Sequence, residues 1–495
     1  MKRSEMALIA NESEVVVFQE EECSLDLFGS FWVKPKMNEE KRLPHIAFDS
    51  PSVNSGQATR INTSFGTSKR LIPLPLILKK QYFHPMKTLI HNISLILHID
   101  QSKRKHKRGK QLGEFPTTEN GWLLIEDGKI ADYGQTGSEP TADEKIDANG
   151  GMLLPTWVDS HTHLVYAGTR EDEFAKRLHG MSYEQIANEG GGILNSARKL
   201  RSASEEELYE ASAKRLDELI KLGTGAIEIK SGYGLTTESE MKILRVARKL
   251  AENFPIPIKT SFLGAHAFPE EFKENHAGYV KQIIEEMLPK IVEEKLADYV
   301  DVFCEKGYFS TEEMEEIIVA GKEKGLKSKL HVNQFNSLGA IEISDSHDAL
   351  SVDHLEVMTD EDVEIMGKSN TIGTLLPGCS LFLEIPYGPA RELIDKNAII
   401  ALATDYNPGS SPSGNMNLVV SLATFKMKMT PEEAISAATL NGAAAIELSD
   451  ELGSIEKGKR ANLVITKPLS SPSFLPYNFG HNHIEHVLIN GKIYE

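Results

Sequence analysis

The sequence predicts an α/β protein in which a (β/α)8 barrel, like that of triosephosphate isomerase, carries a small β-sandwich domain. Two observations lead to this prediction. From residue 155 onwards, apolar strand-like runs alternate with amphipathic helical stretches such as residues 205–222 and 238–253. This alternation is typical of a parallel sheet wrapped by helices, and its extent of roughly 290 residues suits a barrel. The second observation is that strand-and-turn patterns occur in the sequence both before and after the predicted barrel.

The small β domain is predicted from matching patterns at the two ends of the regular sequence. Residues 122–126 lead through Asp127-Gly128 into Lys129-Ile130, and residues 484–489 lead through Asn490-Gly491 into Lys492-Ile493. Asp-Gly and Asn-Gly between apolar runs are strong signals for β-hairpins. We therefore expect residues 86–154 and 451–495 to form one β domain around a barrel of residues 155–450.

Residues 1–85 differ from the rest of the chain. They show no sustained period of 2 or 3.6 and are rich in Ser, Asn and Pro, whereas regular strand-like sequence begins at Met86. Periodicity is the main sequence signal of secondary structure. We expect an atypical, disordered N-terminal extension without a catalytic role.

Composition and charge exclude several classes of protein. The chain of 495 residues is 40% hydrophobic and 25% charged, as in soluble globular proteins, and its formal net charge is −18. A strongly negative protein repels nucleic acids. No apolar run approaches the roughly 20 residues that span a bilayer, and acidic residues interrupt the amino terminus where a secretory signal would be apolar. We expect a cytoplasmic protein with neither a nucleic acid nor a membrane as partner.

Two local features indicate no chemistry of their own. The three cysteines, Cys23, Cys304 and Cys379, are too sparse for a disulfide framework and lack the Cys-x-x-Cys spacing of thiolate metal sites. The basic run 103–108 lies between strand-like segments. We expect that run to be a solvated hairpin tip.

A His-x-His pair follows the first strand of the predicted barrel. The run 152–158 ends in Asp159-Ser160-His161-Thr162-His163. Because side chains alternate along a strand, His161 and His163 point to the same side and could bind one metal ion. The spacing alone is weak evidence: His481-Asn482-His483 repeats it, and there we expect a solvated strand edge.

Four further strand-like runs end at residues that can bind a metal or move a proton. These residues are, in chain order, His266, His331, His354 and Asp405. In a barrel the catalytic groups lie at the carboxyl ends of the strands. Together with the His-x-His pair they favour metal-dependent hydrolysis, whereas serine hydrolase chemistry is disfavoured because no Gly-x-Ser-x-Gly elbow is present.

On these residues the sequence resembles the amidohydrolase superfamily from Met86 to Glu495. The motifs that carry the resemblance are Val158-Asp159-Ser160-His161-Thr162-His163, Lys230-Ser231-Gly232-Tyr233-Gly234-Leu235, Leu263-Gly264-Ala265-His266, Val352-Asp353-His354 and Thr404-Asp405-Tyr406-Asn407-Pro408-Gly409-Ser410. The first and last mark the superfamily. The Ser-Gly-Tyr-Gly-Leu and Asp-x-Asn-Pro-Gly-Ser segments resemble one branch, which opens the ring of 4-imidazolone-5-propanoate.

The resemblance implies one zinc or iron ion per subunit. Its ligands would be His161, His163, His331 and Asp405. Imidazole and carboxylate suit either metal, and an open coordination position would bind a water whose pKa falls towards about 7. Members with two metals carry a carbamylated lysine on a middle strand. Here His266 ends the strand where that lysine is expected and Lys230 stands on an earlier one, which favours a single ion.

The resemblance also implies the reaction and the residues that carry it. Water would open the cyclic amide to N-formimidoyl-L-glutamate, with Asp405 as general base and then acid, and with His266 and His354 polarising the carbonyl. Residues implied to bind the substrate are Arg170, Tyr233, His266, Gln334, Asn407, Gly409 and Ser410. Arg170 and Tyr233 would contact the propionate tail. Asn407, Gly409 and Ser410 could equally be only a Pro-Gly turn.

One departure and two alternative functions stay open. The superfamily branch usually has a glutamate where this chain has Gln334, and glutamine cannot carry a proton. An aminohydrolase that deaminates a nitrogen heterocycle would use similar ligands without needing Arg170, and a non-catalytic scaffold would need no metal. Dimers are common in the superfamily, so the resemblance also allows a homodimer.

Overall fold

A computed structural model describes residues 86–181, 185 and 191–495. These residues belong to one compact unit, residues 81–495. The extension expected for residues 1–85 lies outside the described residues.

The segments on either side of the barrel form one mixed sheet of eight strands. Numbered along the chain, they are β1 (Lys87–Leu97), β2 (Thr117–Glu126), β3 (Lys129–Gln135), β4 (Glu144–Asp147), β5 (Met152–Pro155), β14 (Leu463–Thr466), β15 (Ile484–Ile489) and β16 (Lys492–Ile493). The order is β16-β15-β14-β5-β1-β2-β3, and β4 also pairs with β1. Asp127-Gly128 and Asn490-Gly491 make the two predicted hairpin turns, all four with positive φ, as type I′ turns require.

The other eight strands form a parallel sheet in chain order. They are β6 (Trp157–Thr162), β7 (Thr224–Lys230), β8 (Ile258–Ala265), β9 (Tyr299–Cys304), β10 (Lys327–Val332), β11 (Ser351–His354), β12 (Ile372–Leu375) and β13 (Ile400–Leu402). The first strand and the segment after the last are joined by two backbone hydrogen bonds, from Asp405 N to His161 O (3.0 Å) and from His163 N to Tyr406 O (2.9 Å). The sheet is thus a nearly closed barrel, which confirms the predicted fold class.

Helices connect the barrel strands and cover them. Their bounds are Glu171–Leu178, Gly192–Ser202, Glu205–Lys221, Thr237–Asn253, His276–Gln282, Leu288–Glu293, Thr311–Glu323, Ala340–Ser346, Asp360–Lys368, Pro377–Leu383, Ala390–Asp395, Met416–Met427, Pro431–Ser436, Gly442–Ala444 and Phe474–Tyr477. Several begin at a capping box, for example Ser204 with Glu207 and Ser310 with Glu313. Among the described helices, none has the length and apolarity to cross a membrane.

The basic run 103–108 is only partly the solvated hairpin tip that the sequence suggested, because Lys103 and Lys105 are exposed whereas Lys107 and Arg108 are anchored. Lys107 is fully buried, and its ammonium group donates to the carbonyl oxygens of Ile99 and Glu114 at 2.5 Å each. Arg108 donates to the carbonyl oxygens of Asn397 and Ser369 beside the barrel. Charge alone could not reveal this anchoring, because the acceptors are backbone carbonyls, near in the chain for Lys107 and distant for Arg108.

Candidate active site

A cavity of about 580 Å³ opens where the barrel strands end. The predicted site residues that line it are His163, Arg170, Tyr233, His266, Gln334, His331, His354, Asp405, Asn407, Gly409 and Ser410. His161 lies directly beneath, fully buried, with its ring 4.4 Å from that of His331 between centroids. The structure therefore brings together every residue that the sequence nominated, although they span 250 positions.

Four of these side chains converge on one point at the floor of the cavity. His161, His163 and His331 each place a nitrogen within 4.8 Å of the others. Asp405 Oδ1 lies 3.6 Å from Nε2 of both His161 and His163, and Nε2 of His331 lies 3.3 Å from Nε2 of His163. Burial lowers the pKa of all three imidazoles well below the usual value. They are therefore neutral and available as ligands.

Two buried carboxylates orient two of the imidazoles. Asp353 Oδ2 lies 2.7 Å from Nδ1 of His161, and Asp301 Oδ1 lies 3.0 Å from Nδ1 of His331. A carboxylate at Nδ1 accepts its proton and leaves the Nε2 lone pair free to bind a metal. The sequence analysis missed Asp301 and Asp353, because their place inside the barrel wall is a matter of pairing between strands.

Two buried cations lie among these carboxylates, Lys230 and, 3.7 Å from Asp353, Lys329. Lys230 Nζ lies 2.9 Å from both Glu228 and Asp301 and 3.6 Å from Asp353. Burial alone would lower its pKa, but Asp301 and Glu228 raise the pKa above the usual value. Lys230 is thus a charged component of the barrel interior, and its amine is engaged below the metal donors. It does not stand as a bridging ligand, in keeping with the expected single ion.

The donor set fits a metal ion. Among the described side chains, His161 Nε2 is buried without a hydrogen-bond partner, and the Nε2 atoms of His163 and His331 lie only 3.3 Å apart. Because the Nδ1 protons of His161 and His331 point to carboxylates, the Nε2 lone pairs of these two residues face the site. Buried polar atoms are rarely left in this way, and a cation among three imidazoles and a carboxylate would satisfy them.

His354 stands on strained backbone beside a second carboxylate. Its φ is +91° and that of Asp405 is +53°, in a region that such residues seldom adopt. His354 Nδ1 lies 3.2 Å from Glu356 Oε1. Burial lowers the pKa of His354, but Glu356 outweighs this and the pKa is raised overall. His354 can therefore present a charged N–H group to the cavity.

The pKa of His266 is shifted in the direction opposite to that of His354. His266 Nδ1 lies 2.9 Å from the carbonyl oxygen of Gly232, which can only accept, so Nδ1 carries the proton. Burial lowers the pKa of His266 to about 4. At neutral pH its Nε2 is consequently a hydrogen-bond acceptor, which differs from the carbonyl-polarising role expected from the sequence.

Burial also tunes the carboxylate of Asp405. It raises the pKa of Asp405 to about 6, while the neighbouring His354 opposes the change. Ser410 Oγ lies 3.3 Å from Asp405 Oδ2. A carboxyl with such a pKa can accept a proton and return it near neutral pH.

Arg170 is held at the cavity wall by a residue that the sequence analysis missed. Glu173 Oε2 accepts from Arg170 Nη2 at 2.6 Å and from Nε at 2.8 Å, and Glu173 also accepts from the amide nitrogen of Asn195. Gly409 lies against the guanidinium group, since a Cβ built there would be 2.1 Å from Arg170 Nη1. Arg177 is a second cation on the same wall.

The segment 405–410 is both a turn and a cavity wall. Asn407 Oδ1 accepts from the backbone nitrogens of Gly409 and Ser410 at 2.8 and 2.7 Å, and its amide donates to Ser410 Oγ at 2.7 Å. The turn alternative for these residues is therefore present in the structure. The same turn presents Gly409 and Ser410 to the cavity.

Tyr233 and Gln334 also line the cavity. The Tyr233 ring lies 5.7 Å from His163 and 5.5 Å from His266 between centroids. Its loop is held by the buried carboxylate of Glu240, which accepts from the backbone nitrogens of Gly232 and Gly234. Gln334 Nε2 lies 3.3 Å from Cys379 Sγ.

The chain is similar in sequence to known amidohydrolases. The amidohydrolase family pattern matches residues 152–494. A protein of Flavobacterium johnsoniae named imidazolonepropionase is 59% identical over 410 residues, which are 82% of this chain and 100% of that one. A protein of Christiangramia forsetii with the same name is 58% identical with the same coverage. One from Thermoanaerobacter pseudethanolicus is 44% identical over 77% of this chain and 91% of its own.

Solved structures share the fold at low identity. Guanine deaminase of Escherichia coli superposes with a TM-score of 0.62 at 16% identity, covering 83% of this chain and 99% of its own. A zinc-containing adenosine deaminase of Xanthomonas campestris has a TM-score of 0.62 at 16% identity, covering 83% and 93%. At this identity the likeness concerns the fold alone.

Proposed function

The chain belongs to the amidohydrolase family and, within it, to the imidazolonepropionases, and on that basis we propose that it hydrolyses 4-imidazolone-5-propanoate to N-formimidoyl-L-glutamate in histidine degradation. The observation that carries the proposal is the meeting, in one cavity, of a metal donor set with an arginine suited to a carboxylate. The ring amide would lie over the donors and the propionate tail beside Arg170.

The metal would be held by His161, His163, His331 and Asp405. When bound, zinc or ferrous iron would supply a Lewis acid that polarises the ring carbonyl and makes water nucleophilic at neutral pH. Asp353 and Asp301 keep two of the imidazoles in the tautomer that exposes Nε2. These residues account for binding and orientation without further donors.

Asp405 moves the proton in this proposal. Water adds to the ring carbonyl carbon, the carbon–nitrogen bond breaks, and the proton released by water passes through Asp405 to the departing ring nitrogen. Gln334 occupies the position of the usual glutamate and cannot share this task, so its amide is left to hydrogen-bond the substrate.

The two remaining histidines have different tasks. His354, whose pKa is raised by Glu356, donates to the carbonyl oxygen as negative charge develops there. His266, neutral and protonated at Nδ1, accepts at Nε2 from a ring N–H group. The pair thus distinguishes the carbonyl side of the ring from its N–H side.

An ultraviolet assay for loss of imidazolonepropionate tests the proposed activity. It is run on metal-stripped, zinc-loaded and iron-loaded protein, with the metal content measured in each case. Turnover should be absent from the stripped protein and return with at least one metal. No turnover in any form would refute the activity, and an absence of bound metal in a folded protein would favour the scaffold alternative.

Substitution of Arg170 distinguishes this activity from deamination. Arg170→Met should lower kcat/KM for imidazolonepropionate by about 10- to 100-fold, because it removes a charged hydrogen bond to the propionate tail. Arg198→Met removes an arginine whose guanidinium group pairs with Glu270 at the surface and should change little. An unchanged kcat/KM in Arg170→Met would point instead to an aminohydrolase that needs no cation.

We also propose the domain boundaries given by the sequence and a cytoplasmic location for the protein. Residues 86–154 and 451–495 would form the β domain and residues 155–450 the barrel. The small-molecule substrate carries its own carboxylate and needs neither nucleic acid nor membrane.

A further inference from the structure

A second cluster of metal-binding side chains lies behind the cavity. It consists of His354 at the end of β11, Glu356 two residues later, and Cys379 in the helix Pro377–Leu383. One ligand atom of each lies within 4.8 Å of those of the other two. Cys379 is fully buried, and Glu356 and His354 are 5% and 3% exposed.

The proposed reaction leaves part of this cluster unexplained. Glu356 Oε1 contacts His354, but Glu356 Oε2 is buried without a hydrogen-bond partner among the described residues. A buried carboxylate oxygen without a partner is costly. The Cys379 thiol is near two hydrogen-bond donors, the amide of Gln334 at 3.3 Å and the hydroxyl group of Ser410. Glu356 thus has an unpaired carboxylate oxygen that could bind a cation, and Cys379 has a sulfur that makes only weak hydrogen bonds.

We propose that His354, Glu356 and Cys379 form a second, regulatory binding site for a divalent cation that accepts thiolate ligands, such as zinc. Imidazole, carboxylate and thiolate are the donors that zinc takes in proteins. Donors around a tetrahedral zinc lie about 3.5 Å apart, so the cluster needs only a small contraction. The fourth position would be taken by water or by the Gln334 amide beside the sulfur.

The charges of such a site balance. The Cys379 thiol and the protonated ring of His354 each give up a proton to the buffer as the sulfur and the ring nitrogen bind the cation, and Glu356 binds as a carboxylate. One thiolate and one carboxylate then neutralise the two positive charges. A cation bound at this site would break the contact between Glu356 and His354. A second equivalent of zinc would therefore inhibit the proposed hydrolysis. The binding itself does not depend on which substrate the cavity takes.

Cobalt titration of the metal-stripped full-length chain tests the site. Cobalt bound by thiolate shows a near-ultraviolet charge-transfer band, whereas cobalt on imidazoles and a carboxylate shows only weak visible bands. We expect two bound equivalents, one of which carries the charge-transfer band. In Cys379→Ser the band and one equivalent should be lost, while Cys304→Ser and Cys23→Ser should retain both.

Two further variants show which residues bind each of the two equivalents of cobalt. Glu356→Gln retains the sulfur and should weaken the thiolate-bound equivalent by about 10-fold or more, since even loss of an outer-sphere partner costs about 10- to 100-fold. His163→Asn should remove the other equivalent and leave the band, which separates this site from the one proposed for catalysis. A missing band in the wild-type chain, or a band that persists in Cys379→Ser, would overturn the proposal.

Discussion

At the scale of single residues, the site is organised by charges that lie below the cavity. Lys230 contacts Glu228 and Asp301 directly, and Asp301 and Asp353 in turn contact the imidazoles of His331 and His161. An uncompensated charge inside a protein is far more costly than a compensated pair. Lys230 therefore acts as a positioning residue, since it reaches the metal donors only through the two aspartates.

Substitution of Lys230 should separate this role from simple packing. Lys230→Met removes the cation that contacts the buried carboxylates of Glu228 and Asp301 and should lower the free energy of unfolding by about 3–5 kcal/mol. It should also weaken zinc binding by about 10- to 100-fold, measured with a competing chelator.

Lys242→Met is the matched control for this substitution. Among the residues that the structure describes, its ammonium group donates only to backbone carbonyls, of Leu200, Arg201 and Ala203. This variant should lose stability and keep its zinc affinity. Equal loss of zinc affinity in both variants would mean that Lys230 acts only through stability.

Gly409 should control the position of Arg170. In Gly409→Ala the new Cβ would lie 2.1 Å from Arg170 Nη1, so the guanidinium group must move. We expect a KM raised by about 10-fold with a nearly unchanged kcat, because only binding of the propionate tail is disturbed. Gly168→Ala, whose Cβ would meet Lys199 at an ordinary 3.5 Å, should leave KM unchanged. A fall in kcat at constant KM would show that Gly409 acts on the reacting ring.

The metal donors could be predicted from the sequence and their supports could not. Residues such as His331 and Asp405 can be recognised in the sequence because each stands at the end of an apolar run. Asp301 and Glu173 offer no such signal, because their importance comes from partners 30 and 3 positions away that only the folded chain brings within hydrogen-bond distance.

At the scale of secondary-structure elements, His98 joins the two ends of the chain. It follows β1 directly, and its Nε2 lies 2.9 Å from Thr118 Oγ1 on β2, while Nδ1 lies 3.2 Å from the carbonyl oxygen of Ile455. The side chain is fully buried. Burial lowers the pKa of His98, although the carbonyl of Ile455 opposes the change.

This histidine should make the protein less stable in acid. The unfolded chain takes up its proton near pH 6.5, whereas the folded chain resists until a lower pH, so stability present above about pH 6.5 is lost as the pH falls. Urea unfolding at several pH values should show a smaller loss in His98→Gln than in the wild type. Identical losses would mean that His98 is charged in the folded protein.

At the scale of the whole molecule, the described residues form a barrel and a mixed sheet that stabilise each other. β5 lies between β1 and β14, so the segments before and after the barrel meet beside its first strand. Asn462, which precedes β14, donates to the carbonyl oxygen of Gly225 on barrel strand β7. The β domain therefore helps to hold the ends of the barrel in place.

A chain that begins at Met86 should retain its metal content and its activity. Every residue assigned to the site lies after that position, and relatives align along their whole length to 410 residues of this chain. A chain that begins at Met152 keeps the barrel but lacks β1, which pairs with β5. We expect that control to be insoluble or inactive. Loss of activity in the chain from Met86 would assign a role to residues 1–85.

By itself the sequence determined the alternation of strands and helices, the two hairpin turns and the order of the metal donors, because periodicity and turn chemistry are local properties. The sequence already favoured His161-Thr162-His163 over His481-Asn482-His483, but only the tertiary structure shows what surrounds each pair. His161 and His163 end inside a barrel with Asp405 beside them, whereas His481 is exposed and His483 turns to the carbonyl oxygen of Asn478. It also decided the tautomer of His266, since a proton's position depends on the atom that faces it across the fold.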